Sequence, residues 1–411
     1  MSSPPFPAAA EPAARPARIL LAWEIGANRG HVAKLGAVAR CLLERGHRLS
    51  FAVQQPDALR AFRAVAAASE IRQAPIWPGL LGHAGWGTGG AATYGDLLAD
   101  LGMADSGVLE YLLRAWDRLL ADAAPDLVIA EFAPAALLAA RGRLPTIALG
   151  TGYTVPPAHL PRFPVFHPDA TAPVFDEEAL LQVVNHALRR LLRAPLDRLP
   201  RLAEADIACP AVFAELDPYA VQRLAPPVSP FFDGAPGSAG AGQGVFAYVP
   251  RGRAGTLPLV EALALLAERG VPVAAFLPGL ARPEAARLVA AGIALHEKPV
   301  PPAAIAARAA LLVTLGGLGL LSAALAAGLP MVLLPTDVEK RLNAAAAARL
   351  GVADVPEMTG ETTAAALADR LQAALGDGAM TARARALAPD FTGRLADSAG
   401  IVAAHATALI S

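Results

Sequence analysis

The feature that most constrains this chain is a repeated junction in which an apolar run enters a glycine-rich turn that opens a helical pattern. The first junction is Gly26-Ala27-Asn28-Arg29-Gly30-His31, following Ile19-Leu20-Leu21-Ala22-Trp23. The second is Gly316-Gly317-Leu318-Gly319, following Leu311-Leu312-Val313-Thr314. Glycine allows the sharp turn and the close backbone approach that such a junction needs. One copy is a weak signal. Two on one chain predict two nucleotide-fold domains facing each other across a cleft. At 411 residues the chain is long enough for two ordinary cores.

The hydrophobic pattern fills in around these junctions. Strands are expected at 18–23, 48–53, 126–130 (ending at Glu131) and 146–149. Helices are expected at 31–46, at 58–68 with Asp57 as N-cap, as one or two segments over 94–123, and at 177–193. Residues 226–244 are rich in Pro, Gly, Ser and Ala and read as a linker. Beyond it, strands at 245–249, 273–276, 293–297, 311–314 and 331–334 alternate with helices at 257–268, 283–291, 301–308 and 340–350. The expected class is α/β, with two Rossmann-like, doubly wound parallel-sheet domains. The division is a disordered lead-in (1–18), a first domain (19–225), the linker (226–244), a second domain (245–385) and a helical tail (386–411) packing back on the first domain.

Composition excludes several classes. The net charge is −1, from 35 basic and 36 acidic residues, and aromatics are 5% of the chain, so a nucleic-acid partner is not expected. Cys41 and Cys209 form no metal spacing or disulfide framework and fit a reducing cytoplasm. The first 18 residues lack the basic start and apolar core of a signal peptide. Residues 309–336 carry no charge, but Gly316, Gly317, Gly319, Gly328, Pro330 and Pro335 divide them into strand, turn, short helix and strand rather than a membrane span. No acidic or Cys/His constellation predicts a metal.

The two turns differ in chemistry. His31 stands at a helix N-terminus, whose positive end disfavours imidazolium and leaves the ring available to accept a proton. Glu131, at the end of its strand, is the candidate to orient that ring; Asp126 starts the same strand and belongs at the opposite edge. The amides after Gly316 offer an anion cradle.

Three stretches resemble the inverting glycosyltransferases of the B fold, in the family 1 branch that uses UDP- or dTDP-sugars, and within it a bacterial subgroup. Gly30-His31-Val32 with Leu42-Leu43-Glu44-Arg45-Gly46-His47 is similar to the opening of that family. Pro125-Asp126-Leu127-Val128-Ile129-Ala130-Glu131 is similar to its "PDLVV.D" strand. Gly316-Gly317-Leu318-Gly319, Ala327-Gly328-Leu329-Pro330, Pro335, Glu339 and Asn343 follow its donor motif. Glu131-Phe132-Ala133-Pro134, Gly150-Thr151-Gly152-Tyr153 and Glu215-Leu216-Asp217-Pro218-Tyr219 resemble the subgroup.

The resemblance implies His31 as catalytic base and Glu131 as its partner. It implies Gly316, Gly317, Leu318 and Gly319 at the donor diphosphate, with Ser322 adding a hydroxyl or sitting in the core. Glu339 and Lys340 would hold the sugar, and His296, Lys298, Pro299 and Val300 the nucleobase. Trp23, Asn28, Trp86, Phe132 and Tyr153 would line an acceptor pocket, and Tyr248 would face the cleft. The nucleoside-diphosphate sugar is a co-substrate; no other cofactor and no metal is implied. Two positions depart from the family: Leu315 stands where a His contacts the diphosphate, and Lys340 where a Gln follows the acidic residue. A His at 315 is expected to restore UDP-sugar binding, and Lys340 or Arg341 to supply the missing charge. Two other readings stay open: a binding protein that kept the fold, and a nucleotide-sugar epimerase, which needs several acids in the cleft.

Overall fold

A computed structural model describes residues 16–26, 29–82, 90–167, 170–232, 234–240, 242–249 and 258–411, with backbone only at 29 and 82. The first sheet contains β1 (Arg18–Trp23), β2 (Arg48–Val53), β3 (Ser69–Gln73), β4 (Leu127–Glu131), β5 (Thr146–Gly150) and β6 (Ile207–Pro210). Its order is β3-β2-β1-β4-β5-β6, with every neighbour parallel. The second contains β7 (Gly244–Tyr248), β8 (Val273–Phe276), β9 (Ala294–Leu295), β10 (Ala309–Thr314), β11 (Met331–Leu333) and β12 (Ala353–Asp354). Its order is β12-β11-β10-β7-β8-β9, again all parallel. Counted from its own first strand, the second sheet repeats the order of the first. In each, the winding reverses beside the first strand, between β1 and β4 and between β7 and β10. Ligands of open parallel sheets bind at the strand ends flanking that reversal.

The expected doubly wound architecture is present, and alternation along the strands explains its packing. Leu20 and Ala22 of β1 share one core with Val128 and Ala130 of β4; Ile19, Leu21 and Trp23 share the other with Leu127 and Ile129. In the second sheet Val245, Ala247, Leu311 and Val313 face one core, and Phe246 and Leu312 the other. Strands covered on both faces must read as continuous apolar runs.

Several local expectations change. The helix expected over 58–68 is split into a 3₁₀ turn, Pro56–Ala61, and a short helix, Arg63–Ala67. Asp57 caps nothing, because Pro56 already starts the turn; it is exposed and pairs with Arg60 at 3.0 Å. The segment expected as a linker lies tightly against the helix Pro302–Arg308. A Cβ on Gly242 would fall 2.2 Å from the Arg308 carbonyl oxygen, and one on Gly240 2.6 Å from that of Ala307. Gly240 and Gly242 therefore serve close packing rather than slack. The helix Gly378–Gly393 runs across the boundary expected at 385 and stays with the second domain, where Thr392 Oγ1 donates to the Ala326 carbonyl at 2.7 Å. The last helix, Ser398–Ile410, packs on the helix Arg29–Glu44 of the first domain, sharing its core through Val402, Ala403 and Ala406. The uncharged stretch 309–336 is β10, the helix Leu318–Ala327 and β11. No described helix is long and apolar enough to cross a membrane.

Candidate functional site

β1 and β4 pair so that Trp23 lies beside Glu131 at the reversal of the first sheet. The helix Arg29–Glu44 starts above these strand ends, and side chains of a first helical turn lean back towards them. His31 Nδ1 lies 2.7 Å from Glu131 Oε2, with Glu131 fully buried. One turn on, Lys34 Nζ lies 3.0 Å from Glu131 Oε1. The Trp23 indole stacks on the imidazole, with centroids 5.4 Å apart and planes 17° off parallel, and Phe132 approaches at 6.2 Å. A Cβ on Gly26 would lie 2.1 Å from His31 Nε2, and Gly26 has φ +117°, so glycine is required there twice over.

Burial raises the Glu131 carboxyl, but the charges of His31 and Lys34 and their hydrogen bonds outweigh it and hold the group below its usual range. Glu131 is thus a carboxylate, which only accepts. In a neutral His31 ring Nδ1 must then carry the hydrogen, which leaves the Nε2 lone pair as the acceptor. A ring held in this tautomer can take a proton from a hydroxyl set against Nε2.

A chain of buried aromatic rings extends from this pair. Phe132 meets Tyr94 and Tyr153, Tyr94 meets Phe163, and Tyr153 meets Phe166, at centroid distances from 5.3 to 6.2 Å. Asp96 accepts from the amides of Val174 and Phe175, and Glu177 from that of Phe163, which fastens the loop carrying Phe163 and Phe166. Arg223 forks onto Asp217 and donates to the carbonyls of Gly152 and Val155, while the Tyr219 hydroxyl donates to the Tyr153 carbonyl. The Gly150–Tyr153 and Glu215–Tyr219 segments are therefore one structural unit. Phe132 and Tyr153 meet in this wall, whereas Trp23, expected beside them, is buried in the core on the other face of the sheet and reaches the site only by stacking on His31; Asn28 and Trp86 lie outside the described residues.

At the reversal of the second sheet, β10 leads through Leu315 to Gly316, with φ +88°, and Gly317 opens the helix Leu318–Ala327. No side chain of Gly317 can cap the first-turn amides, which point along the helix axis and suit an anion. Asn343 Nδ2 braces the turn by donating to the Gly316 carbonyl at 3.0 Å. Leu315 falls on the same strand face as Leu311 and Val313 and is buried with them, as the Leu318 side chain is in the other core. Ser322 is fully buried, and its hydroxyl has no partner among the described residues.

The ammonium of Lys340 is held by Asp337, whose other oxygen caps the helix Val338–Arg349. Val338 is buried in the core of the first domain, so this helix start spans the two domains. Glu339 is half-buried and helps raise the buried Tyr153 hydroxyl well above its usual range, after burial itself. Arg341 is exposed. His296, Lys298, Pro299 and Val300 line a pocket of about 480 Å³ formed by residues 295–301, with the His296 ring 5.7 Å from Phe246. Tyr248, at the end of β7, packs on Phe276. Among the described residues no three His, Cys, Asp or Glu side chains cluster to hold a metal.

The chain superposes along 96% of its length on the calicheamicin glycosyltransferase CalG4, covering 98% of it, with a TM-score of 0.67 and 21% identity. It has the glycosyltransferase B fold. The glycosyltransferase VinC, solved in complex with dTDP, matches over 96% of this chain and 99% of its own, with a TM-score of 0.66 and 16% identity. A UDP-glucosyltransferase from Polygonum tinctorium, solved with 3,4-dichloroaniline, matches over 97% and 99%, with a TM-score of 0.65 and 16% identity. No family profile and no curated protein matches the chain by sequence. At these identities the likeness establishes the fold.

Two charged groups of this B-fold chain lie outside the residues that the sequence motifs single out. Lys34 was detectable, standing three residues after His31 on one helix face. Glu24 was not: it is fully buried and accepts from Ala135 N at 3.0 Å, Ala136 N at 2.9 Å and Trp77 Nε1 at 3.1 Å, all remote in sequence.

Proposed function

We propose that this protein is an inverting, metal-independent glycosyltransferase that moves a sugar from UDP or dTDP to a hydroxyl of a small, partly apolar acceptor. The observation that carries the reading is the His31–Glu131 pair at the reversal of one sheet, with an uncapped glycine turn at the equivalent point of the other. The acceptor hydroxyl gives its proton to His31 Nε2 as its oxygen bonds the anomeric carbon. The bond from that carbon to the diphosphate breaks on the opposite side, which inverts the centre. The departing diphosphate is received by the amides of Gly317, Leu318 and Gly319 beyond Gly316. Glu339 holds the sugar, the 296–300 segment the base, and Phe132 and Tyr153 the acceptor, since Lys340 is tied to Asp337 and Trp23 is buried in the other core. VinC with dTDP and the plant enzyme with an aromatic amine support these ligand classes. The buried free thiols Cys41 and Cys209 support a cytoplasmic setting.

The test is a transfer assay with UDP- and dTDP-sugars and a panel of phenolic and alcoholic acceptors, with product configuration read by NMR. His31→Ala is expected to lower turnover by at least ~10²-fold with donor affinity nearly unchanged. Chelator should leave the rate as it is. A rate lost to EDTA and restored by Mg²⁺ contradicts the metal-free account, and a folded wild type that binds no nucleotide in calorimetry turns the reading towards a binding protein.

A further inference from the structure

The helix Arg29–Glu44 brings two nitrogen groups to one carboxylate. His31 Nδ1 takes Glu131 Oε2 at 2.7 Å, and Lys34 Nζ takes Oε1 at 3.0 Å. All three residues are buried. A buried ammonium is unfavourable without a counter-charge, and Glu131 is the counter-charge that Lys34 meets. The same carboxylate, left alone with His31, would stabilise the imidazolium and keep the ring protonated. A ring already protonated accepts nothing from an acceptor hydroxyl. Building on the reading of His31 as the base, we propose that Lys34 is a positioning residue: by neutralising Glu131 it keeps the His31 imidazole a neutral proton acceptor at neutral pH.

The other elements around the pair supply no competing cation among the described side chains. Trp23 at the end of β1 and Phe132 after β4 present neutral rings. Tyr94, from the helix Tyr94–Leu98, faces Glu131 electrostatically, and burial followed by the charges of Glu24 and Glu131 pushes its hydroxyl far above the usual range, so it stays neutral. Glu24, the other charge that acts on Tyr94, is a carboxyl group and no cation. Lys34 is therefore the group that offsets Glu131.

The experiment is an NMR titration of the full chain with labelled histidine, the His31 signal being identified among the eight histidines by its loss in His31→Ala. The midpoint belongs to the His31–Glu131 pair as a unit. Lys34→Met is expected to raise it by about one to two pH units. Lys34→Arg, which keeps the charge, should return it to near the wild-type value. Lys34→Gln serves as a second neutral variant should the methionine fail to fold. A midpoint that stays put or falls in a folded neutral variant overturns the proposal. In transfer assays the acidic limb of kcat/KM should move upward with the NMR midpoint. If the transferase reading itself is wrong, wild type transfers nothing while the titration still reports on Lys34. If only the role of Lys34 is wrong, transfer persists and its acidic limb does not move.

Discussion

Leu315 is held by the strand that precedes it. β10 alternates between two cores, and position 315 continues the face of Leu311 and Val313 into the buried interior of the second domain. The burial of Leu315 counts against the expectation that a histidine here would regain a diphosphate contact. Leu315→His should place an imidazole among aliphatic side chains, lowering stability by about 1–3 kcal/mol in denaturant unfolding. It should leave UDP affinity in calorimetry no better than wild type; a clear gain in affinity would show that the side chain reaches the cleft. The charge expected from Lys340 is likewise committed, to Asp337. What remains at this turn is backbone: first-turn amides and a carbonyl braced by Asn343.

At the scale of elements, the helix Pro134–Ala140 is capped from another strand. Pro134 has no N–H, and the N-cap position Ala133 has no side-chain acceptor, so the first free amides, Ala135 and Ala136, donate to Glu24 at the end of β1. Burial raises the Glu24 carboxyl to about 7, against the opposing pull of these hydrogen bonds. The folded state therefore holds a proton that the unfolded chain, with an ordinary value near 4.5, releases first. This contribution is fully present below pH 4.5 and is lost as pH rises through about 7. The shift corresponds to a loss on the order of 3 kcal/mol. Glu24→Gln should flatten the stability profile between those values, measured by denaturant unfolding at several pH values; an unchanged slope would assign the pH dependence elsewhere. Glu131 works in the opposite sense. Held below its usual range, it stabilises the fold above pH 4.5 and loses that contribution as pH falls through its lowered value.

Across the whole molecule, the C-terminal helix couples the ends of the chain. Ser398–Ile410 packs on Arg29–Glu44 and shares its core, and Ser398 exchanges hydrogen bonds with Ser229. The helix that carries His31 and Lys34 is thus held by its own sheet and by the last helix, which also touches β4. Val402 is fully buried in that contact. Val402→Ala should lower stability by about 2 kcal/mol. Turnover should fall along with it, because the helix bearing the base loses support; a stable fold with unchanged turnover would show that the site does not depend on that contact.

Continuous apolar runs at β1, β4, β7 and β10, each buried on both faces, made the two sheets legible from the sequence, and the glycine turns located both reversals. His31 was legible as a helix-start residue, and Glu131 as a strand-end acid. The edge strands β3, β6 and β12 were not, since SEIRQ, IACP and AD carry no clean period and exist because a neighbour pairs with them. Nor was the cap of Glu24 on residues more than a hundred positions away, or the fork of Arg223 that joins the 150–153 and 215–219 segments. Periodicity records which face of a segment is kept from water. Which charged groups meet inside is decided by strand order and register, and those set Trp23 beside Glu131 and bring Lys34 to its second oxygen.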